Sequence, residues 1–552
     1  HIERAGRLAS IEGCPKVKMA PARQLLDRLD AVRDRLEVWT GELFLEKHQG
    51  TFTTQAGVKR SNRRLEHLLK QLEFVYSCLP VENYPAAALD AAWKKLLLHQ
   101  FHDIIPGSSI TRVYAEARAA YAELFEQCGK LLAAAWESAL TAEADTVTLF
   151  NTLGCEYRGY YRLPADWAGV EFDGATLPCQ REEDGVVAEV VIPPYSSVEL
   201  RRSDLAASTV EGGPAVLEND LVRYEFDERG RLIRGYDKEL QFEFLSPEAP
   251  GNVFRLYYDN PINFDAWDVD LDYVNCPVAE ALPSAALRKT VGPVRQILAL
   301  EQRIGRSTLS QQIILGGGKA LRFETRVHWD EANKMLRVAF PVNLSAAQAQ
   351  FDIQYGFLSR STQVNTSWDL AQFEVSAHRY VKLSGPQYGV ALLNDCKYGF
   401  RLRENVLDMN ILRSPKYPDP TADLGDHEFT YVLLPYRAGT THQLVINQAA
   451  MLNEAPVAAV GFSGEWQLPC RLIADHIMLE VVKKAEKSED LVIRLVETAG
   501  CHSRGLLQLR EEFSAIFRTD LIEWTTEEEL PAGAELELVM RPFEIRTYRL
   551  ER

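Results

Sequence analysis

The sequence predicts a multidomain α+β protein, mostly β: a three-helix bundle followed by large antiparallel β-sandwich domains. Three observations predict it. Residues 59–142 carry amphipathic helical periodicity with short connections. After about residue 145, short runs of Val, Ile, Leu, Phe and Tyr alternate with polar residues between Gly, Pro and Asn-Asp breaks, the texture of antiparallel sandwiches. Finally, 552 residues exceed a single core, while 46% hydrophobic and 25% charged residues are the proportions of an ordinary globular chain.

Taken in order, residues 1–37 show two helical patterns, Ile2 to Glu12 and Ala22 to Leu36, joined by Gly13-Cys14-Pro15. They are expected to be the C-terminal tail of a preceding α/β domain. Residues 38–144 are expected to form the three-helix middle domain. It opens with Trp39 to Glu46 and His48 to Gln55, a structured loop too rich in Gly, Thr and Gln for a helix and too poorly alternating for a strand. From Lys59 onward Leu65, Leu68, Leu69, Leu72 and Val75 form one apolar stripe. A second helix is predicted over Ala86 to Phe101. A third runs from Thr111 to Ala142 with Tyr114, Ala117, Tyr121, Leu124, Cys128, Leu131 and Leu132 inward. The β half divides into a small sandwich at 145–215, a large central one at 216–435 and a C-terminal β domain at 436–552. Gly316-Gly317-Gly318 reads as a turn, since no helix pattern with Lys-Ser/Thr follows it.

A net charge of −17 with no Lys/Arg cluster excludes the electrostatic footprint of a nucleic-acid or anionic-membrane binder. No apolar run reaches the ~18 residues that a membrane span needs. Nine scattered cysteines, odd in number and without C-x-x-C, argue for neither a disulfide framework nor a structural zinc site. They point to a reducing, cytoplasmic location. The charged, amphipathic start of the chain lacks the pattern of a secretory leader.

The chemistry-bearing stretch is Leu96 to Ser109. An apolar helical run ends in His102-Asp103, and Pro106-Gly107 then forces the backbone out of the helix. An imidazole and a carboxylate at a helix terminus are free to face a cleft. In Asp265-Ala266-Trp267-Asp268 an indole lies between carboxylates. This is the wall of a sugar pocket, or equally a buried Trp with solvated acids. Asp423, Asp426 and His427 have the types of metal ligands, but a loop holding Arg413 near an active-site mouth suits them better. His328 and His378 lie in strand-like surroundings and read as structural. No G-x-S-x-G elbow supports a serine hydrolase.

The run Leu98 to Ile110 resembles the signature of the glycoside hydrolase family 38 α-mannosidases of the bacterial and cytosolic type, departing from it at His99, where the family has Asn. Further resemblances follow in the same order: Asn219-Asp220, Tyr236-Asp237-Lys238, Asp259-Asn260-Pro261, Asp265 to Asp268, His328 to Glu331, Ala371 to Val375, Leu412 to Pro415 and Asp423 to His427. They cover the chain to about residue 435. The resemblance implies a retaining, zinc-dependent exo-α-mannosidase that hydrolyses terminal α-linked mannose from a mannose-containing oligosaccharide. It implies that His102 is a zinc ligand and that Asp103 hydrogen-bonds a mannose hydroxyl. His48, Asp265, Trp267 and Arg413 are expected at the substrate.

In the family the nucleophilic aspartate and an N-terminal His-x-Asp pair supply the other ligands from an N-terminal catalytic domain. That domain is the expected partner, no catalytic residue is assigned in this chain, and the chain alone is expected to be inactive, with one of about four zinc ligands. Two other readings stay open: a mannosylglycerate or phosphomannosylglycerate hydrolase of the same family, and a non-catalytic carbohydrate-binding β-sandwich protein. Pairing of two copies as a homodimer through the sandwiches is a further expectation.

Overall fold

The computed structural model describes residues 2–204, 208–439 and 442–552. They fall into two units, 1–45 and 46–552. In the first, α1 (Ile2–Leu8) and α2 (Ala22–Asp30) are shorter than the sequence pattern, and a single 3-10 turn, Arg33–Arg35, follows. Neither helix buries a residue, and Leu25, Leu26 and Leu29 are exposed on α2.

The second unit opens with α3 (Ala56–Ser77), α4 (Ala86–His99) and α5 (Thr111–Ala139). The predicted stripes meet in one core: Leu65, Leu69, Leu72 and Val75 of α3 pack with Leu89, Ala92 and Leu96 of α4 and with Tyr114, Ala117, Tyr121, Leu124 and Cys128 of α5. Leu68, Leu131 and Leu132 lie at its margin. α4 stops at His99, two residues before Phe101, because Gln100 leaves the helix and consecutive turns lead to Gly107 at φ +97°. α5 ends at Ala139 because Thr141 already begins a strand.

All the sheets pair antiparallel strands, as the alternation predicts. In the largest, Gln296–Ile304, Ser307–Leu315 and Leu321–Trp329 run as a meander, and Gly425–Arg437 closes against the last of these. A six-stranded sheet that includes Lys334–Pro341 and Val406–Arg413 faces it. The two are joined by Phe323, Phe340 and Tyr431, whose ring centroids lie 4.7–6.0 Å apart. Near the C-terminus, Ile477–Lys484, Leu491–Glu497 and Ile545–Glu551 belong to one sheet and Ser503–Leu509 and Glu535–Met540 to another. They share a core of Leu479, Ile493, Leu507, Leu538 and Tyr548 that also takes in Phe74 of α3.

One pairing crosses the segments read from sequence. Thr141–Phe150 lies between Ser197–Ser203 and Val457–Ser463. A strand from the segment 436–552 therefore covers what would otherwise be an open edge beside the bundle. Trp466 follows that strand and meets Trp136 of α5 edge-on at 5.1 Å. The nine cysteines are free, and no helix among the described residues is long and apolar enough to cross a membrane.

Glu73 on α3 is 8% exposed, and its Oε1 accepts a hydrogen bond of 3.0 Å from Trp93 Nε1. Burial pushes this carboxyl up to about 7 from an ordinary value of 4.5. Its contribution to stability is therefore complete below pH 4.5 and is lost as pH rises through about 7. Relative to wild type, Glu73→Gln should gain on the order of 2–3 kcal/mol of unfolding free energy between pH 5 and pH 8. Urea melts at the two pH values read this difference, and an equal offset at both would contradict it.

Candidate functional site

Gln100 leaves α4 with its side-chain amide donating to Asn62 Oδ1 (3.1 Å) and Glu66 Oε1 (2.7 Å) of α3. Beyond it the backbone turns tightly: Ile104 N donates to Phe101 O at 2.8 Å and Gly107 N to Ile104 O at 3.1 Å. Ser109 Oγ donates to Asp103 O at 2.6 Å, and Tyr114 Oη accepts from Ser109 N at 2.7 Å. The turns leave the side chains of His102 and Asp103 79% and 52% exposed. His102 Nε2 and Asp103 Oδ2 are 3.9 Å apart, beyond hydrogen-bond range, and the imidazole rests on Phe101 at 4.2 Å between centroids.

A second loop comes from His48 to Gln55. Both of these residues are left-handed, with φ of 69° and 60°, and between them Gln49–Phe52 form a 3-10 turn. His48 N donates to Asp268 Oδ1 (2.8 Å), Gly50 N to Trp267 O (2.8 Å) and Thr54 Oγ1 to Ala266 O (3.0 Å). The loop is thereby sewn to Asp265-Ala266-Trp267-Asp268, with the His48 side chain exposed and Trp267 half-buried. Phe264, 63% exposed, meets Trp267 edge-on at 6.0 Å. Asp265 Oδ2 accepts from the backbone N–H groups of Lys416 (2.6 Å) and Tyr417 (3.1 Å), tying the turn after Arg413 to the same knot.

Arg413 corrects the sequence reading. Expected at the mouth, it is wholly buried, because its fork is engaged by protein groups. Nε and Nη2 donate to Asp259 Oδ2 (2.7 Å) and Oδ1 (3.0 Å), Nη2 also to Asp268 O (2.7 Å), and Nη1 to Thr54 Oγ1 (3.1 Å). Gly50 passes so close that a Cβ there would lie 1.8 Å from Nη1. Arg413 holds three loops in place from beneath.

Asp423 likewise has a different task from the metal-ligand type that its side chain suggests. Gln55 provides no side-chain cap for α3, and the carboxylate of Asp423 takes its place, accepting from Gln55 N and Ala56 N at 2.7 Å each. Burial raises this carboxyl. Asp419 receives Thr111 Oγ1 and Gln55 Nε2, each at 2.7 Å. Burial alone would raise its carboxyl too, but the hydrogen bonds from Thr111, Thr421 and Gln55 hold it below its ordinary value. His427 Nε2 lies 2.7 Å from Asp423 O, and Asp426 pairs with His328 Nδ1 at 2.7 Å on the surface. The three do not converge.

Among the described residues no group of three or more His, Cys, Asp or Glu side chains could hold a metal ion. His328-Trp329-Asp330 has the His-x-Asp spacing, yet its His is taken by Asp426 and its Asp by Arg306. His378 O accepts from Arg63 Nη2 (3.1 Å) and Asn394 Nδ2 (2.9 Å), and burial pushes the ring down to about 4.

Sequence reasoning missed Asp259, Asp419 and Lys59. The first is the anion that a buried Arg413 demands, while Asp419 and Lys59 join loops remote in sequence and leave no local pattern. Lys59 is buried, and its Nζ donates to Thr54 O (2.6 Å) and Ile105 O (2.7 Å). Burial pushes this amine down to about 7. The result is an exposed imidazole and carboxylate on one anchored loop, together with a knot of loops carrying His48, Phe264 and Trp267. A neutral imidazole can ligate a metal and a carboxylate can accept hydroxyls, but neither amounts to a hydrolytic site alone.

Comparison with known proteins matches three stretches of the chain. Residues 46–138 match the alpha mannosidase middle domain, 217–421 the glycosyl hydrolases family 38 C-terminal domain, and 476–548 the glycosyl hydrolases family 38 C-terminal beta sandwich domain. Alpha-mannosidase 2C1 of Homo sapiens is 35% identical over 99% of this chain and 54% of its own length. Alpha-mannosidase of Saccharomyces cerevisiae is 27% identical over 93% of this chain and 49% of its own length. The chain thus spans about half the length of the curated relatives it matches. An alpha-mannosidase structure from Enterococcus faecalis V583 shares the fold, with a TM-score of 0.77 over 95% of this chain and 72% of that one, at 18% identity.

Removing Arg413 leaves Asp259 as an unpaired buried charge. Arg413→Met should cost about 3–5 kcal/mol in denaturant unfolding, and adding Asp259→Leu should recover part of this loss. Additive losses in the double variant would contradict the pairing.

Proposed function

Because the chain belongs to glycosyl hydrolase family 38 through its middle and C-terminal domains, we propose that it is the sugar-facing middle and C-terminal part of a retaining, zinc-dependent exo-α-mannosidase. The observation that carries this reading is the His102-Asp103 loop, whose two side chains face solvent at the exit of α4 while their backbone is tied down on three sides. Alpha-mannosidase is also the activity named for the human, mouse, Dictyostelium and yeast relatives. Their greater length supports an N-terminal catalytic domain as the partner that brings the nucleophile and the acid/base carboxylate, ~5 Å apart in a retaining enzyme.

The donor set fits zinc in part. His102 offers an exposed ring nitrogen for one of about four ligands, and among the described residues no second and third donors join it. When bound, zinc supplies polarisation and a grip on sugar hydroxyls. The chain's own residues do the rest. Asp103 accepts a hydrogen bond from a mannose hydroxyl, and the exposed Phe264 beside the half-buried Trp267 offers an apolar face to the sugar's C–H surface. His48 presents its side chain from a strained turn held by Asp268. Asp265 and Arg413 act indirectly: the first fixes the Lys416–Tyr417 backbone, the second the loops above it. Nine free thiols suit a cytoplasmic enzyme.

On an aryl α-mannoside the chain alone should give no turnover and should lose zinc on dialysis. The longer polypeptide should hydrolyse it, with His102→Ala lowering kcat/KM by about 100-fold or more and releasing the metal. Turnover by the chain alone, or an unaffected His102→Ala enzyme, would overturn the assignment.

A further inference from the structure

Lys59 lies one turn into α3, is 5% exposed, and is bonded to two separate loops. Its Nζ donates to Thr54 O, at the end of the His48–Gln55 loop, and to Ile105 O, in the loop that carries His102 and Asp103. Most other bonds of the His102 loop are internal or run to the helices: Gly107 N to Ile104 O, Ser109 Oγ to Asp103 O, Gln100 to α3. Lys59 crosses from one loop to the other.

The surroundings make that crossing matter. A cavity of about 1030 Å³ runs beneath both loops, with Thr51, Phe52, Lys59, Ile105 and Pro106 in its wall. On that side the loops lack the close-packed neighbours that fix a core segment, so polar ties there add to direct contact in setting their separation. Thr54 and Gly107 also touch, and a Cβ on Gly107 would come within 2.6 Å of Thr54 O. The Asp423 carboxylate supplies the opposite charge near the ammonium, against Arg413 and Lys397.

We propose that Lys59 is a positioning residue for the sugar-facing pair: the two hydrogen bonds donated by its Nζ fix the His102-Asp103 loop relative to the His48–Gln55 loop without touching substrate. This rests on the reading of His102 and Asp103 given above. Lys59→Met keeps the stem and removes the donors, whereas Lys59→Arg keeps charge and donors, and the adjoining cavity has room for the larger head.

Amide exchange on this chain tests the clamp without any assay of activity. In Lys59→Met, amides of residues 101–107 and 48–55 should exchange at least about tenfold faster while the β-sheets stay protected, and Lys59→Arg should restore most of the protection. Unchanged exchange, or a rise spread evenly over the chain, overturns the proposal. In the longer polypeptide, kcat/KM on an aryl α-mannoside should fall about tenfold or more in Lys59→Met and recover in Lys59→Arg. Local loosening with full activity would uphold the clamp and overturn the functional reading of His102 and Asp103.

Discussion

A guanidinium taken wholly out of water is tolerable only when its N–H groups find acceptors, and the loops of this molecule meet that demand for Arg413. Asp259 supplies the charge, Thr54 and Asp268 the remaining oxygens, and Gly50 the space. These groups come from sequence segments around residues 50, 260 and 413, so the knot cannot form until bundle and sheets are both in place. Once formed, it ties the surface loops above it to the strand from which Arg413 projects.

The same logic recurs at the start of α3. That helix carries Lys59, Arg63 and the stripe of the bundle core, but its first N–H groups are answered by Asp423, which is remote in sequence. Asp419 ties both the Gln55 side chain and the first residue of α5 to that same turn. The bundle is thus docked on the β half through carboxylates at helix beginnings, where the helix dipole favours negative charge. Apolar packing then joins the two along α3, where Phe74 enters the C-terminal core.

Much of this was legible in the residues. The stripe Leu65, Leu69, Leu72, Val75 placed α3 because burial at helical spacing leaves little alternative, and Pro106-Gly107 marked the exit of α4 because neither residue continues a helix easily. The short apolar runs broken by Gly, Pro and Asn-Asp after residue 145 likewise announced antiparallel strands. Arg413 and Asp423 were harder. A charged side chain on a β-rich segment reads as solvent-facing, and only its partner, more than a hundred residues away, makes burial affordable. Partnerships of that kind have no local periodicity. The exposed pair His102-Asp103 was legible for the opposite reason, since the bend that displays it is dictated by its immediate neighbours.

The pairing of Thr141–Phe150 with Val457–Ser463 has a consequence for how the molecule comes into being. On a ribosome adding about 5–20 residues each second, the earlier strand emerges and then waits tens of seconds for its neighbour. During that interval the hydrogen-bonding rim next to α5 stands bare to other nascent chains. The exposed Asp145, with its backbone at φ +61° and the register slip between Ala142 and Val147, interrupts that rim. Irregularity in the early strand thereby guards it against the wrong neighbour until the right one is made.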